Sequence, residues 1–303
     1  MSLRRREQPG GERRAKVRAP PAETRNRDHV LSFIAALNGE GKTGAVLEHY
    51  SRSQALDLKI ASFEASYPGF RIYPLDAFSE RDLVVVRYAV DFGTRFAPPA
   101  APLLELLESI AIFRVHDRFI TDLWLESDVL SQVIDTDGME APDPQPRAEA
   151  LLGVEQRDGK LRGDTEASRS LVLGYLAALN KQRKTKHNIA RFVTDSALAG
   201  HVKAFEAGFP GYNLLADEVI AAGDRVAVRF HTRQRHVHDF MGVPATGLEV
   251  TITGIVIYRV EDGKIAEHWQ QADLWTLMQL LQAGPDVTKQ QLIEKKARRG
   301  ATK

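Results

Sequence analysis

His236 and His238 stand one residue apart, and alternate residues of a strand point the same way, so the two imidazoles could grip one metal ion. His231, His268 and Asp273 are the only further ligands within reach along the sequence. Scattered strand histidines are usually polar edge residues, and no metal site is expected. The chain has no cysteine, which excludes disulfide frameworks, thiolate metal sites and cysteine nucleophiles. Gly39-Glu40-Gly41-Lys42-Thr43 has the ending of a phosphate-binding loop but lacks the preceding strand and the full spacing, and reads as a helix-ending loop. No Gly-x-Ser-x-Gly nucleophile elbow occurs. Carboxylate and imidazole remain as the groups for catalysis.

The chain that must position them has 303 residues, with 41 Lys and Arg against 40 Asp and Glu. That length allows two ordinary domains, each with its own core. No apolar run approaches the roughly 20 residues of a membrane helix, and the basic start Arg4-Arg5-Arg6 has no apolar segment behind it. A cytoplasmic protein is expected, with no membrane partner. The formal charge of +1 conceals an uneven distribution: residues 1–27 carry +6 and residues 285–303 carry +4, which leaves the body at −9. No aromatic side chains interleave with the arginines of these tails, so a solubilising or self-docking role is expected rather than nucleic-acid binding. Pro142, Pro144 and Pro146 mark an extended linker, with room for a short helix at Arg147–Val154; residues 288–299 could form a basic helix.

An internal repeat sets the architecture. Val30-Leu31-Ser32-Phe33-Ile34-Ala35-Ala36-Leu37-Asn38 matches Val172-Leu173-Gly174-Tyr175-Leu176-Ala177-Ala178-Leu179-Asn180 at an offset of 142. The same offset pairs Pro68-Gly69-Phe70 with Pro210-Gly211-Tyr212, and Arg87 with Arg229. After a slip to 145, Arg114-Val115 matches Arg259-Val260, and Trp124 and Asp128 match Trp269 and Asp273. One register held over a hundred residues is a tandem duplication. Each copy predicts three helices closed by Pro-Gly, then four strands. In the second copy the strands fall near Tyr212–Ile220, Arg225–His236, Glu249–Val260 and Lys264–Leu274. Val226, Val228 and Phe230 alternate with Arg225, Ala227 and Arg229, the pattern of a sheet with one packed face, and Asp262-Gly263 signals a hairpin turn. Helices followed by antiparallel strands make an α+β, cone-shaped domain with a pocket between helices and sheet. Arg87 and Arg229 read as paired surface or interface residues. The divisions are a basic arm (1–24), an N-terminal domain (25–131), a linker (132–165), a C-terminal domain (166–284) and a basic tail (285–303).

The stretch from His236 through Phe240-Met241-Gly242-Val243-Pro244 to Gly247, continued by Tyr258-Arg259-Val260-Glu261-Asp262-Gly263-Lys264-Ile265-Ala266-Glu267-His268-Trp269 and on to Asp273, resembles the SnoaL-like polyketide cyclases, or ester cyclases, of the NTF2-like superfamily. The resemblance covers about 110 residues of the second copy. The first copy has Pro98-Pro99-Ala100-Ala101-Pro102 where the motif should stand, and resembles the fold more than the enzyme. The sequence departs from the family at Gln234-Arg235, where Gly-Thr is usual, and at His238, usually glycine.

The resemblance implies a small-molecule enzyme without metal or cofactor, with Asp273 as base and His236 as partner, closing a ring by intramolecular aldol chemistry. Such a carboxylate needs an apolar pocket to raise its pKa. Trp269, Tyr175, Phe240, Met241 and His238 are expected around the substrate, Trp269 on the same strand face as Asp273 if that strand is regular. The plainer reading of Asp273 is a cap on the helix Leu274–Leu281. A non-catalytic binding protein, or a hydrolase or isomerase in which Asp273 activates water, are the open alternatives. The two copies are expected to face one another as an intra-chain pseudo-dimer, with further self-association left open.

Overall fold

The computed structural model describes residues 20–39, 41–91, 107–127 and 161–284. Asp128, Pro98–Pro102, residues 1–19 of the basic arm, the basic tail, most of the linker and the helices expected at 147–154 and 288–299 lie outside these residues, and the first helix begins at Ala22, within the stretch expected to be arm. The first unit runs α1 (Ala22–Gly39), α2 (Gly44–Tyr50), α3 (Gln54–Ser66), β1 (Arg71–Glu80), β2 (Leu83–Asp91), β3 (Leu107–His116) and β4 (Phe119–Ser127). The second runs α4 (Thr165–Lys181), α5 (Lys186–Ala190), α6 (Ser196–Gly208), β5 (Asn213–Ala222), β6 (Arg225–Arg235), β7 (Glu249–Glu261), β8 (Lys264–Ala272) and α7 (Leu274–Ala283). Each sheet is an antiparallel meander in the order β1-β2-β3-β4 or β5-β6-β7-β8. No described helix is long and apolar enough to cross a membrane.

The duplication holds at the level of individual bonds. Thr43 caps α2 and Thr185 caps α5; Ser53 caps α3 and Asp195 caps α6. The Asn38 side chain bonds both backbone groups of Ile72, and Asn180 does the same to Leu214. Lys42 pairs with Glu64 under the Phe70 ring, as Lys184 pairs with Glu206 under Tyr212. Both first strands carry a bulge, at Pro74/Asp76 and at Ala216/Glu218. The β7–β8 hairpin turns at Asp262-Gly263, with φ of 49° and 70°, the pair of positive values that this tight turn requires.

Helices cover one face of each sheet and make two separate cores. One contains Phe33, Leu37, Val84 and Val86; the other contains Tyr175, Leu176, Val226, Val228 and Phe230. The alternation seen in β6 suggested one packed face, yet both faces are packed. Phe78, Val85, Ile110 and Ile112 meet Ile220, Ala227, Ile255 and Ile257, so the two sheets bury their second faces against each other. These are equivalent positions of the two copies, as in a twofold dimer. Arg87 lies over Trp269 at 4.7 Å and Arg229 over Trp124 at 5.2 Å, which makes both arginines interface residues. Arg225 reaches Asp76 at 3.0 Å and Arg169 reaches Glu80, joining the copies at the edge.

Gly254 stands opposite Phe230 in the β6–β7 ladder, and a Cβ there would sit 2.3 Å from Phe230 Cζ and 2.9 Å from the Gln271 carbonyl oxygen. Gly254→Ala is expected to lower stability by about 1–3 kcal/mol, read from the urea midpoint.

Candidate functional site

The inner face of the C-terminal sheet is apolar at Val226, Val228 and Phe230 and then turns polar. Thr232, Gln234 and His236 continue the same alternation and are 2%, 6% and 0% exposed. Thr232 Oγ1, both amide atoms of Gln234 and His236 Nε2 have no protein partner, and neither has the buried Tyr175 hydroxyl on α4. A buried polar group without a partner costs about 1–3 kcal/mol, so three such side chains in a row on one strand, with a fourth on α4, mark a site rather than a core. His236 Nδ1 accepts the Thr246 backbone N–H at 3.2 Å, which places the proton of the neutral ring on Nε2. Its ring lies 5.1 Å from Phe209.

A second group lies on the same face towards the other end of the sheet, where His268 is level with Tyr258 and Val226, eight residues along β6 from Gln234. Asp195 caps α6 by accepting the N–H groups of Ala197 and Leu198 through Oδ1, and its Oδ2 accepts from His268 Nδ1 at 2.6 Å. The carboxylate can only accept, so His268 Nδ1 carries the proton and Nε2 is the basic nitrogen. Nε2 takes a hydrogen bond from His201 Nδ1 at 3.0 Å. The side chains of His268 and Asp195 are 6% and 12% exposed, while His201 on α6 opens to solvent. Asp195–His268–His201 is thus a chain of bonds from the interior to the surface. Tyr258 is the β7 partner of His268, and Tyr175 meets Tyr258 edge-on at 5.9 Å. Burial first, then Tyr258, Tyr212 and the Asp195 charge, hold the Tyr175 phenol well above its ordinary pKa, so it is a hydrogen-bond donor at neutral pH.

The residues expected from sequence are only partly brought together. Tyr175 lies in the cone, and His236 joins Phe240 through Phe209, whose ring is 4.9 Å from that of Phe240. Phe240 and Met241 pack against buried Met278 of α7, as Leu274 and Trp275 do. His238 is exposed and so does not share the environment of His236. Trp269 lies elsewhere. Cross-strand partners share a face, and Trp269 pairs with Ile257 of the inter-sheet core, whereas its neighbour His268 pairs with inward-facing Tyr258. Asp273 does not continue the strand: β8 ends at Ala272, and the Asp273 carboxylate caps α7 by accepting the Thr276 N–H at 3.1 Å. The His236 ring bonds Thr246 and no carboxylate. Among the described residues no three His, Asp or Glu side chains are grouped to hold a metal ion.

Sequence reasoning missed Asp195, His201 and the role of His268, although the duplication itself contains the signal. At the two repeat offsets, Tyr175, Tyr212, Thr232, Tyr258 and His268 fall on Phe33, Phe70, Val90, Phe113 and Leu123, and Asp195 falls on Ser53. The first copy fills the same cone with apolar side chains. Tyr88, a phenol that it does bury, reaches the Ser109 hydroxyl.

Burial depresses the imidazoles of His29, His201 and His236 below their ordinary 6.5. Below that value the unfolded chain binds protons that the folded chain does not. Stability is therefore retained above about pH 6.5 and lost as pH falls through the folded values. Urea midpoints should drop between about pH 7.5 and about pH 5.5, and His236→Gln should flatten part of that slope.

No curated protein matches the chain. Among solved structures, AclR from Streptomyces galilaeus is 27% identical, covering 46% of this chain and 95% of its own, with a TM-score of 0.39. TsrD from Streptomyces laurentii is 23% identical, covering 39% and 96%, with a TM-score of 0.35. A SnoaL-like polyketide cyclase from Agrobacterium tumefaciens C58 is 22% identical, covering 37% and 95%, with a TM-score of 0.33. Residues 174–281 match the family model of the SnoaL-like polyketide cyclases.

Proposed function

We propose that the C-terminal domain carries out cofactor-free acid–base catalysis of the polyketide-cyclase kind, an intramolecular aldol-type ring closure on a hydrophobic or aromatic small molecule held in its cone. The observation that carries this reading is the Asp195–His268 pair, bonded at 2.6 Å and nearly buried within the domain that matches the family. Asp195 holds His268 in the tautomer whose Nε2 is a base. With substrate in the cone, that nitrogen gives up its bond to His201 and takes a proton from a carbon flanked by two carbonyls. The enolate carbon attacks a third carbonyl carbon of the same molecule, one C–C bond forms, and the new alkoxide recovers the proton from the imidazolium. The Tyr175 hydroxyl, which has no protein partner and whose ring meets that of Tyr258 beside His268, is the donor available to steady the oxyanion. His201 exchanges protons with solvent between turnovers.

Asp273 as base is the competing assignment, and its carboxylate is already engaged as the α7 cap. Phe240 and Met241 wall the site from the α7 side. Incubation of the purified chain with a linear aromatic β-polyketone methyl ester tests the reading. The expected product is a ring-closed isomer of unchanged mass, or one water lighter after dehydration. A product of ester cleavage would point to hydrolysis, and binding without product to a carrier.

A further inference from the structure

His201 and His268 turn one ring nitrogen each towards the other, His201 Nδ1 and His268 Nε2, 3.0 Å apart. Asp195 keeps the proton of His268 on Nδ1 through the 2.6 Å bond to its Oδ2, so the Nε2 lone pair points at His201. The hydrogen between the two rings therefore belongs to His201. That side chain is exposed on α6, and its ring is free to carry the hydrogen on Nε2 instead, which turns a second lone pair towards the first. Two nitrogens held about 2.0–2.1 Å from one tetrahedral ion lie about 3.3 Å apart, so an opening of about 0.3 Å at an exposed ring admits such an ion. No cavity is needed, because the ion replaces a shared hydrogen. Asp195 stands behind the His268 ring, where metal-bound histidines usually have a carboxylate that fixes the ring and raises the basicity of the ligating nitrogen. Among the described residues no three His, Asp or Glu side chains surround a common point, so two imidazoles are the protein's contribution and water fills the other positions. At the repeat offsets the first copy has Lys59, Leu123 and Ser53 in place of His201, His268 and Asp195, and shares none of this arrangement.

We infer that His201 and His268 bind one zinc ion, and that the ion switches off the base by occupying His268 Nε2. The site stands on the geometry of the two rings, whereas the switch rests on the acid–base reading of the same nitrogen. The rings release no net proton: His201 loses the hydrogen on Nδ1 to water and gains one on Nε2. Removal of the ion reverses the exchange and restores the hydrogen bond. Imidazole nitrogens suit zinc and copper, while magnesium prefers oxygen ligands and keeps its water.

The test is a calorimetric titration of the full chain at neutral pH with zinc chloride, and with magnesium chloride as control. Saturable binding of zinc alone is expected. His201→Ala leaves a lone imidazole and should abolish it. Asp195→Asn turns His268 to the tautomer protonated on Nε2 and should weaken it by about 10- to 100-fold. His116→Ala removes an exposed histidine of the first copy and should leave it unchanged. Copper(II) bound to the parent protein should show two nitrogen ligands by electron paramagnetic resonance, a readout that needs no variant. Failure to bind zinc, binding that survives His201→Ala, a copper spectrum without two nitrogens, or equal uptake of magnesium would overturn the site. In the ring-closing assay zinc should stop turnover and a chelator should restore it. Full turnover by the zinc-saturated chain would overturn the switch and move the base away from His268. An active enzyme that binds no zinc would sink this inference and leave the catalytic reading standing.

Discussion

His268→Gln should lower ring-closing turnover by roughly 100- to 10,000-fold, the usual contribution of a positioned general base. Glutamine can bond Asp195 and His201 but has no nitrogen that accepts a proton at neutral pH, so the loss is chemical rather than structural. Asp195→Asn sharpens the test. Asparagine caps a helix as well as aspartate does, so α6 should hold and stability should change little. An amide facing His268 Nδ1 donates where the carboxylate accepted, which turns the imidazole to the tautomer with its proton on Nε2. Turnover should then fall by a comparable factor, of the order of 10⁴ where the same change has been made in a serine-protease triad. Asp273→Asn likewise keeps a cap, on α7, and should leave turnover within a few-fold. The comparison is read from single-turnover rates of the three variants beside the parent. Full activity in His268→Gln, or a loss confined to Asp273→Asn, would move the base to Asp273.

Phe78→Ala is the change expected to cost most stability. The side chain is 0% exposed and belongs to neither domain's own core but to the layer between the sheets. Removal of a buried phenylalanine costs about 3–5 kcal/mol, a large part of the roughly 5–15 kcal/mol that holds a typical protein folded. The layer is shared, so both domains should unfold in one transition that shifts as a whole. Trp124 and Trp269 pack against that layer and supply the fluorescence signal, to be compared with far-UV circular dichroism. Separate transitions for the two copies in the parent protein would contradict a shared layer.

Much of this fold is readable in the residues. Repetition exposed the two domains, period-two alternation located the strands, and Asp262-Gly263 marked its turn. The errors have local causes. The face taken by Trp269 was extrapolated four residues along a strand that ends at Ala272, because Asp273 has the chemistry of a helix cap and acts as one. The second face of the C-terminal sheet reads as unpacked because Arg225 and Arg229 occupy it, yet their guanidinium planes lie over indole rings and tolerate burial. The site is less legible than the fold. Likeness between the copies reports what both need in order to fold. Phe33 against Tyr175, Leu123 against His268 and Ser53 against Asp195 report what only one of them needs.

The sheet-on-sheet layer has a further consequence, because its two halves are carried by one polypeptide. Two separate subunits meeting through such faces would come apart on dilution, each leaving an apolar sheet in water. Here the partner is always present, at an effective concentration that for tethered modules is on the order of millimolar. Docking of the two sheets is first-order, and that contact does not depend on protein concentration. The apolar copy thus acts as a permanent chaperone-like cover for the polar one, and the polar copy is free to carry buried groups that weaken it.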